Sequence, residues 1–227
     1  MSKIFFDDTY ISVVPEYDCT GIHRHSMLHI FVGNEPLILN DEYKGKLIIL
    51  EQNVMHARPK GDVRFFMFID PTSEFAEILR RDFLKGEEVY VSENGVGDYE
   101  LSPLGIKQFV RDYFGDKCFI RRTDIDDRIM SILDEASKFK YLDTKVSKLA
   151  EGMNYSESYL THLFKKETGV SLKQYLLLRR VEYVWIKISS GSSITEASLD
   201  AGFASPSHFA DTCKKLMGIS AADVLRT

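Results

Sequence analysis

The sequence predicts an α+β protein of two domains: a small β-barrel or sandwich with flanking helices, followed by an all-α domain. Short β-type runs separated by turn residues fill residues 4–70, and the character changes after Pro71. From Asp124 onward, nearly every segment has helical periodicity, and an internal repeat occurs there. A chain of 227 residues is long enough to form two such domains.

The β-type runs are separated by clusters of Gly, Pro, Asn and Asp, which are typical of turns. The predicted strands are Ile11–Val14, Leu28–Val32, Leu37–Leu39, Leu47–Leu50, Val63–Ile69 and, less regularly, Val89–Val91. The predicted turns are Gly33–Pro36, Asn40–Asp41 and Pro59–Asp62, and the predicted helices are Glu74–Leu84 and Pro103–Phe114. We place the first domain at residues 1–92, a linker with a helix for self-association at 93–123, and the helical domain at 124–227.

The internal repeat aligns residues 156–171 with residues 205–220. Both copies begin with a serine at a helix N-cap position, Ser156 and Ser205, and both carry Lys-Lys followed by a glycine suited to a helix C-terminus. Pro206 takes the first helical position of the second copy, where its missing N–H costs nothing.

A shorter helix precedes each copy, and a residue that tolerates positive φ, Asn154 or Gly202, lies between the two. This pattern predicts two helix-turn-helix units, at about 145–169 and 194–218. The connecting segment, Ser171 to Ser189, reads as one helix of roughly 28 Å. That length approaches the ~34 Å repeat of B-DNA, so two recognition helices can reach successive major grooves.

Composition excludes several classes of protein. No apolar run is long enough to cross a bilayer and no signal peptide is visible, so we expect a cytoplasmic protein without a membrane partner. Cys19, Cys118 and Cys213 are too far apart for a C-x-x-C pair and are expected to be isolated thiols.

Charge is a weaker signal than the repeat. The net charge of −5 belongs to residues 1–123, because 14 basic and 14 acidic side chains balance from Asp124 onward. A local basic excess lies between Thr161 and Lys187, where Glu167 and Glu182 are the acidic residues. The basic residues there are Lys165, Lys166, Lys173, Arg179, Arg180 and Lys187.

The C-terminal segments resemble the DNA-binding region of the AraC/XylS family of bacterial transcription regulators. The resemblance covers about Asp126 to Arg226 and is most specific at Ser156–Gly169, at Arg180 and at Ala201–Ser205. It implies a double helix-turn-helix module that binds asymmetric promoter sites and contacts RNA polymerase.

Two departures from the family pattern concern the second unit. Ala197-Ser198 stands where the family usually has Ile-Ala, and Cys213 stands where it has Phe. Both changes reduce core volume, so the second unit is expected to be the less stable one.

The resemblance and helical spacing together select the DNA-contacting residues. In the first unit Ser158, Thr161 and His162 share one face and are expected to contact bases, with Lys165 and Lys166 near the backbone. In the second unit Ser207 and Asp211 take the base-contacting positions, and Lys214 and Lys215 the backbone positions. Tyr159, Leu160, Leu163 and Phe164 are assigned to the core face.

Four of the six histidines lie in the β-rich domain. His23, His25 and His29 resemble the first cupin motif, with His29 in place of the usual Glu, and His56 resembles the histidine of the second motif. Strand periodicity places the first three on one face. Four imidazoles suit Zn, Ni, Fe or Cu. A pocket for an organic effector, or a purely structural role, is the alternative.

These observations predict a transcription regulator with a cupin-like sensor domain, acting on promoter double-stranded DNA as a homodimer under a small-molecule or metal effector. We expect no enzymatic activity, because replacing Glu by His29 leaves no evident general acid or base. Two alternatives remain open: a metal-dependent cupin enzyme, and a co-regulator with degenerate DNA binding. The sequence does not identify the effector, the promoters or the sign of regulation.

Overall fold

The computed structural model describes residues 3–15 and 21–218 of the chain. These residues divide into two compact units, one of residues 3–15, 21–122 and 215–218 and one of residues 123–214. The helices within the described ranges are too short or too polar to serve as membrane spans.

The N-terminal unit is built on one six-stranded antiparallel sheet, in the order β1-β2-β5-β3-β4-β6. The strands are β1 (Lys3–Phe6), β2 (Tyr10–Val14), β3 (Leu28–Leu39), β4 (Tyr43–Leu50), β5 (Val63–Ile69) and β6 (Val89–Ser92). Asn40 and Asp41, with φ of 52° and 58°, close the β3–β4 hairpin. Two consecutive positive φ values are the geometry of a tight hairpin turn, so the turn predicted at these residues is confirmed.

The turn predicted at Gly33–Pro36 is wrong, because β3 runs through it without a break. A register shift between Val32 and Leu37 absorbs the irregularity instead. A Cβ added at Gly33 would meet the carbonyl oxygen of Glu35 at 2.5 Å, so a glycine is needed for this bulge.

Helices cover one face of the sheet. They are α1 (Glu74–Ile78), which continues as a π-helical turn (Leu79–Leu84), α2 (Pro103–Phe114), and a 3₁₀ turn (Asp116–Phe119). Alternate residues of the central strands, such as Ile30 and Met67, are buried against these helices. The residues between them point to the opposite face, and there the sheet carries aromatic and histidine side chains.

Helix α2 lies where a linker with a self-association helix was predicted, and its apolar face belongs to the core of its own unit. Ile106, Phe109, Val110 and Phe114 are all buried there. The rings of Phe65 and Phe109 meet edge to face, with centroids 5.2 Å apart. Most of the apolar face that suggested pairing with a second copy is therefore covered within this unit, whereas Leu104 is 73% exposed, and the helix packs with the sheet and does not form a separate linker.

The second unit is helical throughout its regular elements. They are α3 (Asp127–Ser137), α4 (Val146–Gly152), α5 (Glu157–Thr168), α6 (Leu172–Ser189), α7 (Ile194–Asp200) and α8 (Pro206–Met217). A buried cluster joins the inner faces of α3, α4, α5 and the first half of α6, with Ile129, Leu149, Leu160, Phe164 and Leu172 among its members.

Candidate functional site

The first helix-turn-helix unit consists of α4, a turn and α5. Asn154 makes the turn at a φ of 60°, and the N–H of Tyr155 donates to the carbonyl of Ala150 across it. Ser156 caps α5, because its side chain accepts a hydrogen bond from the N–H of Tyr159 at 3.2 Å. Gly169 ends the helix in the left-handed region. The predicted turn and caps are confirmed.

Helix α5 has one buried and one exposed face. Leu160, Leu163 and Phe164 are buried, whereas Ser158, His162, Lys165 and Lys166 are exposed and Thr161 is half-buried. The exposed residues are those that the helical spacing selected for DNA contact. The side chains that are expected to contact DNA are therefore not buried in the core.

The hydroxyl of Thr161 is already engaged within the helix. It donates to the carbonyl oxygens of Glu157 and Ser158, at 2.8 and 3.1 Å. Because its proton is occupied, Thr161 offers its methyl group and an acceptor lone pair to an incoming base.

Tyr159 does not belong to the core face, contrary to the prediction from helical spacing. It is 44% exposed, and its hydroxyl accepts a hydrogen bond from the Arg128 guanidinium at 2.9 Å. Arg128 also binds both carboxylate oxygens of Asp126, which caps α3. This arginine ties the start of α3 to the recognition helix, a link that the sequence pattern did not reveal.

The second helix-turn-helix unit repeats this design. Gly202 turns at a φ of 79°, and Ser205 Oγ accepts from the N–H of His208 at 3.1 Å to cap α8. The exposed residues of α8 are Ser207, His208, Asp211, Lys214 and Lys215. His208 is committed to the fold, since its Nδ1 accepts from the N–H of Ala204 and its ring packs on Phe203.

Three small residues fill positions in the core of the second unit. Ala197, Ser198 and Cys213 are fully buried, and Ser198 Oγ donates to the carbonyl of Ile194 at 2.6 Å. Burial raises the pKa of the Cys213 thiol to about 12, so this residue is neutral at physiological pH.

Helix α6 connects the two units over 18 residues, about 27 Å. Leu172, Tyr175, Leu176 and Val184 are buried along this helix, whereas Ile188 is half-buried. Arg179 belongs to the local basic excess noted in the sequence, but it is buried in an ion pair with Glu182.

A cavity of about 370 Å³ opens where α4 and α5 begin beside α6. Its lining combines the aliphatic Leu176 and Leu177 with the basic Lys173 and Arg180. The sequence reading missed this cavity, because its residues are distant in sequence and carry no shared motif.

The histidine cluster lies in the N-terminal unit. His23 and His56 form an antiparallel bridge, in which each backbone N–H donates to the carbonyl of the other, at 2.8 and 2.9 Å. The N–H of Asn53 donates to the carbonyl of His25 at 2.7 Å, which ties the two histidine-bearing segments together. This pairing places His56 directly beside the segment that carries His23 and His25.

Three of the four histidines bring their nitrogens together. One ligand atom from each of His23, His25 and His56 lies within 4.8 Å of the others. His29, which the sequence placed in the same group, lies beside it on β3: its ring centroid is 3.8 Å from that of His25 and 4.3 Å from that of Phe68. The four-imidazole site expected from the sequence is therefore a three-imidazole group with an adjacent fourth ring.

Burial keeps most of these imidazoles neutral. It lowers the pKa of His25 and of His29 well below the usual value, and neighbouring histidines lower both further. Burial lowers the pKa of His56 to about 4, against the opposing effect of its hydrogen bond to the Val54 carbonyl. Neutral imidazoles carry the lone pairs that a cation or a hydrogen-bond donor needs.

Comparisons with known proteins agree with the helical repeat. A family model described as a helix-turn-helix domain matches residues 149–227. An uncharacterized HTH-type transcriptional regulator of Staphylococcus aureus is 30% identical over 90 residues, which make up 39% of this chain and 12% of that protein. Transcriptional regulator MxiE of Shigella flexneri is 29% identical over 106 residues, 46% of this chain and 50% of MxiE. The match spans half or less of the length of both relatives.

Two solved structures of ToxT from Vibrio cholerae share the fold over most of the chain. An apo ToxT variant gives a TM-score of 0.52 at 12% identity, over 95% of this chain and 96% of that chain. ToxT bound to (E)-4-(8-methylnaphthalen-1-yl)but-3-enoic acid gives a TM-score of 0.50 at 14% identity, over 95% and 97%. The C-terminal part of the chain thus matches a helix-turn-helix domain, and the succession of a β-sheet unit and a helical unit is similar to the fold of ToxT.

Proposed function

We propose that this protein is a sequence-specific DNA-binding transcription regulator whose N-terminal unit senses an effector. The observation that carries the proposal is the pair of capped recognition helices, α5 and α8, each with one face in the core and one face open to solvent. The relatives that match the helical domain are named as transcriptional regulators, which supports the same role here.

The two recognition helices present different side chains for contact with DNA bases. In α5, Ser158 and His162 are exposed and Thr161 is half-buried, so hydrogen bonds to base edges and apolar contact through the Thr161 methyl group are both available. In α8 the equivalent positions hold Ser207 and Asp211, and the carboxylate repels phosphates. We therefore assign most base reading to α5.

The exposed lysines supply the sequence-independent part of the affinity. Lys165 and Lys166 on α5, and Lys214 and Lys215 on α8, are positioned to neutralise phosphates on either side of the bases that are read. By resemblance, the partners would be promoter DNA, RNA polymerase and a second copy of the chain. Because most of the apolar face of α2 is covered and Leu104 is its exposed large apolar side chain, we expect such a dimer to use another surface.

The effector site is assigned to the sheet face opposite the helices. The aromatic rings of Phe31, Phe66 and Phe68 lie on this face. Those of Phe31 and Phe68 contact the ring of His29, and the ring of Phe66 contacts that of Phe31. ToxT has been solved with an aromatic carboxylic acid, which supports effector binding in this class of fold. Aromatic rings suit an organic ligand, whereas the imidazole nitrogens of the histidine cluster suit a metal ion. No acidic or basic catalytic group is needed for this role.

Selection of bound sites from a random double-stranded DNA library tests the proposal. The full chain is expected to enrich one asymmetric motif, and the enriched duplex is expected to bind with strong salt dependence. Recovery of no motif, together with equal retention of unrelated duplexes at physiological salt, would refute sequence-specific binding and favour the co-regulator alternative.

Variants on the two recognition helices then test whether α5 makes most of the base-specific contacts. His162→Ala is expected to relax the selected motif at one or two positions, whereas Asp211→Ala is expected to leave the motif unchanged and to bind at least as tightly. If only Asp211→Ala relaxes the motif, base reading belongs to α8 and the assignment to α5 is wrong.

A further inference from the structure

We propose that His23, His25 and His56 form a binding site for one divalent transition-metal ion. The inference deepens the proposed function, because it names the chemical class of the ligand. The site itself is argued from the histidines alone and does not depend on DNA binding.

The backbone first brings the three ligands to one place. In an antiparallel bridge whose residues exchange both hydrogen bonds, the two side chains leave on the same face, which holds for His23 and His56. Their ring centroids lie 4.6 Å apart, and that of His25 lies 5.0 Å from that of His56. Ligation by three histidines brings nitrogens to roughly 3.3 Å of one another, so the observed 4.8 Å leaves an adjustment on the scale of side-chain rotation.

Backbone carbonyls then fix which nitrogen faces the site. The Nδ1 atoms of His23, His25 and His56 lie 3.1, 3.3 and 2.9 Å from the carbonyl oxygens of Gly21, Met27 and Val54. A carbonyl accepts hydrogen bonds only, so each Nδ1 carries the proton and each Nε2 carries the lone pair. A second-shell carbonyl on one ring nitrogen is the usual device for presenting the other nitrogen to a metal.

The free nitrogens are buried and lack hydrogen-bond partners. Nε2 of His25 and Nε2 of His56 are both buried without a partner, as are both ring nitrogens of His29. Buried polar atoms without partners are rare, since each costs the loss of its hydration. The two Nε2 lone pairs of His25 and His56, which belong to one three-histidine group, indicate a ligand that accepts lone pairs, and a bound cation does so.

The composition of the group indicates the class of metal. The group contains imidazoles and no carboxylate, a donor set that suits Zn²⁺, Co²⁺, Ni²⁺ or Cu²⁺ and not Mg²⁺ or Ca²⁺. Three protein ligands leave a further coordination position for water or an exogenous ligand. His29 packs against the ring of His25 and fixes its position from the sheet side.

The test is a Co²⁺ titration of the untagged, chelator-treated full chain, followed by visible absorption. One Co²⁺ per chain is expected to bind with the intense bands of a low-symmetry nitrogen-ligated ion, and Zn²⁺ is expected to displace it while excess Mg²⁺ does not. Zn²⁺ is also expected to raise the Tm of the chain, because it binds the folded state.

Variants make the ligand assignment falsifiable. His56→Gln and the half-buried His23→Gln are each expected to weaken Co²⁺ binding by more than about 100-fold, beyond the usual effect of a second-shell change. His162→Gln, on the exposed face of α5, is the matched control and is expected to bind as wild type. Circular dichroism of His23→Gln establishes that the variant is folded.

Two results would overturn the proposal: no saturable binding of one ion per chain, or a His23→Gln chain that is folded and binds Co²⁺ as tightly as wild type. A failure of DNA selection leaves this titration unaffected, so the metal site and the proposed regulatory function fail separately.

Discussion

Arg179 and Glu182 form a buried ion pair within helix α6, with 2.6 Å between Nη1 and Oε2 and each side chain 9% exposed. The pair lies three residues apart, on the helix that joins the two helix-turn-helix units. The guanidinium also lies over the ring of Tyr175, 5.0 Å from its centroid. The buried face of the connecting helix thus contains an ion pair in addition to its apolar side chains.

Removing one partner of this pair is expected to destabilise the helical unit strongly. Glu182→Ala removes the carboxylate that lies 2.6 Å from the buried Arg179 guanidinium, and loss of one partner of a buried ion pair costs about 3–5 kcal/mol, whereas joint replacement of both residues by Met is expected to restore most of the loss. Urea unfolding followed by circular dichroism measures the effect. The matched control is Glu151→Ala, which breaks the exposed i,i+3 pair with Lys148 and is expected to cost less than about 1 kcal/mol. Equal losses for the two single variants would contradict the argument.

The buried thiols report on the relative stability of the two units. Burial raises the pKa of Cys118 and of Cys213 to about 12, so at pH 8 both are almost entirely protonated and should react slowly with iodoacetamide in the folded protein. Because small side chains replace larger ones around Cys213, the second helix-turn-helix unit is expected to open more often, and Cys213 to be labelled faster than Cys118. Peptide mapping by mass spectrometry gives both rates, and each tenfold ratio corresponds to about 1.4 kcal/mol of opening free energy. Faster labelling of Cys118 would contradict this expectation, because it would show that the sheet unit opens more readily than the core around Cys213.

Local signals in the sequence predicted the parts of the fold that depend on local chemistry. The caps at Ser156 and Ser205 and the turns at Asn40-Asp41 and Asn154 each follow from one or two residues acting on their own backbone. Such features survive any tertiary arrangement, and each is present where it was predicted.

Features that depend on tertiary packing could not be predicted from the sequence. An i,i+3 Arg–Glu pair reads the same whether it is solvated or buried, so the burial of Arg179 was missed. The exposed position of Tyr159 depends on Arg128, 31 residues earlier, and strand β3 passes the predicted turn because β4 pairs with both of its halves. At the histidine cluster, the cupin-like motifs identified the residues, but strand periodicity does not account for their grouping, because His23 and His25 lie outside β3.

The cap of α3 is expected to be sensitive to acid. The Arg128 guanidinium and backbone N–H hold the pKa of Asp126 at about 2, below that of the carboxyl in an unfolded chain, ~3.9. Since the folded pKa is the lower one, the contribution to stability is complete above pH ~4 and is lost as the pH falls from ~4 towards 2. Asp126→Asn removes it, so the gap in Tm between wild type and variant is expected to shrink over that interval. Asp127→Asn, at an exposed neighbouring position, is the control. A gap that stays constant from pH 6 to pH 2 would mean that the carboxylate charge contributes nothing.

Phosphate contacts and base contacts on α5 are expected to separate in their dependence on salt. Lys165→Ala removes one exposed positive charge, so the slope of log K against log salt should fall by about 1, with the same loss of affinity for every duplex tested. His162→Ala should leave the slope nearly unchanged and reduce the discrimination between selected and substituted duplexes by about 1–3 kcal/mol. Lys44→Ala removes an equally exposed lysine from the sheet unit and should change neither quantity. Fluorescence anisotropy at four salt concentrations supplies all three slopes. An identical change for Lys165→Ala and Lys44→Ala would mean that only the net charge of the chain matters, and that the exposed face of α5 is not the surface that meets DNA.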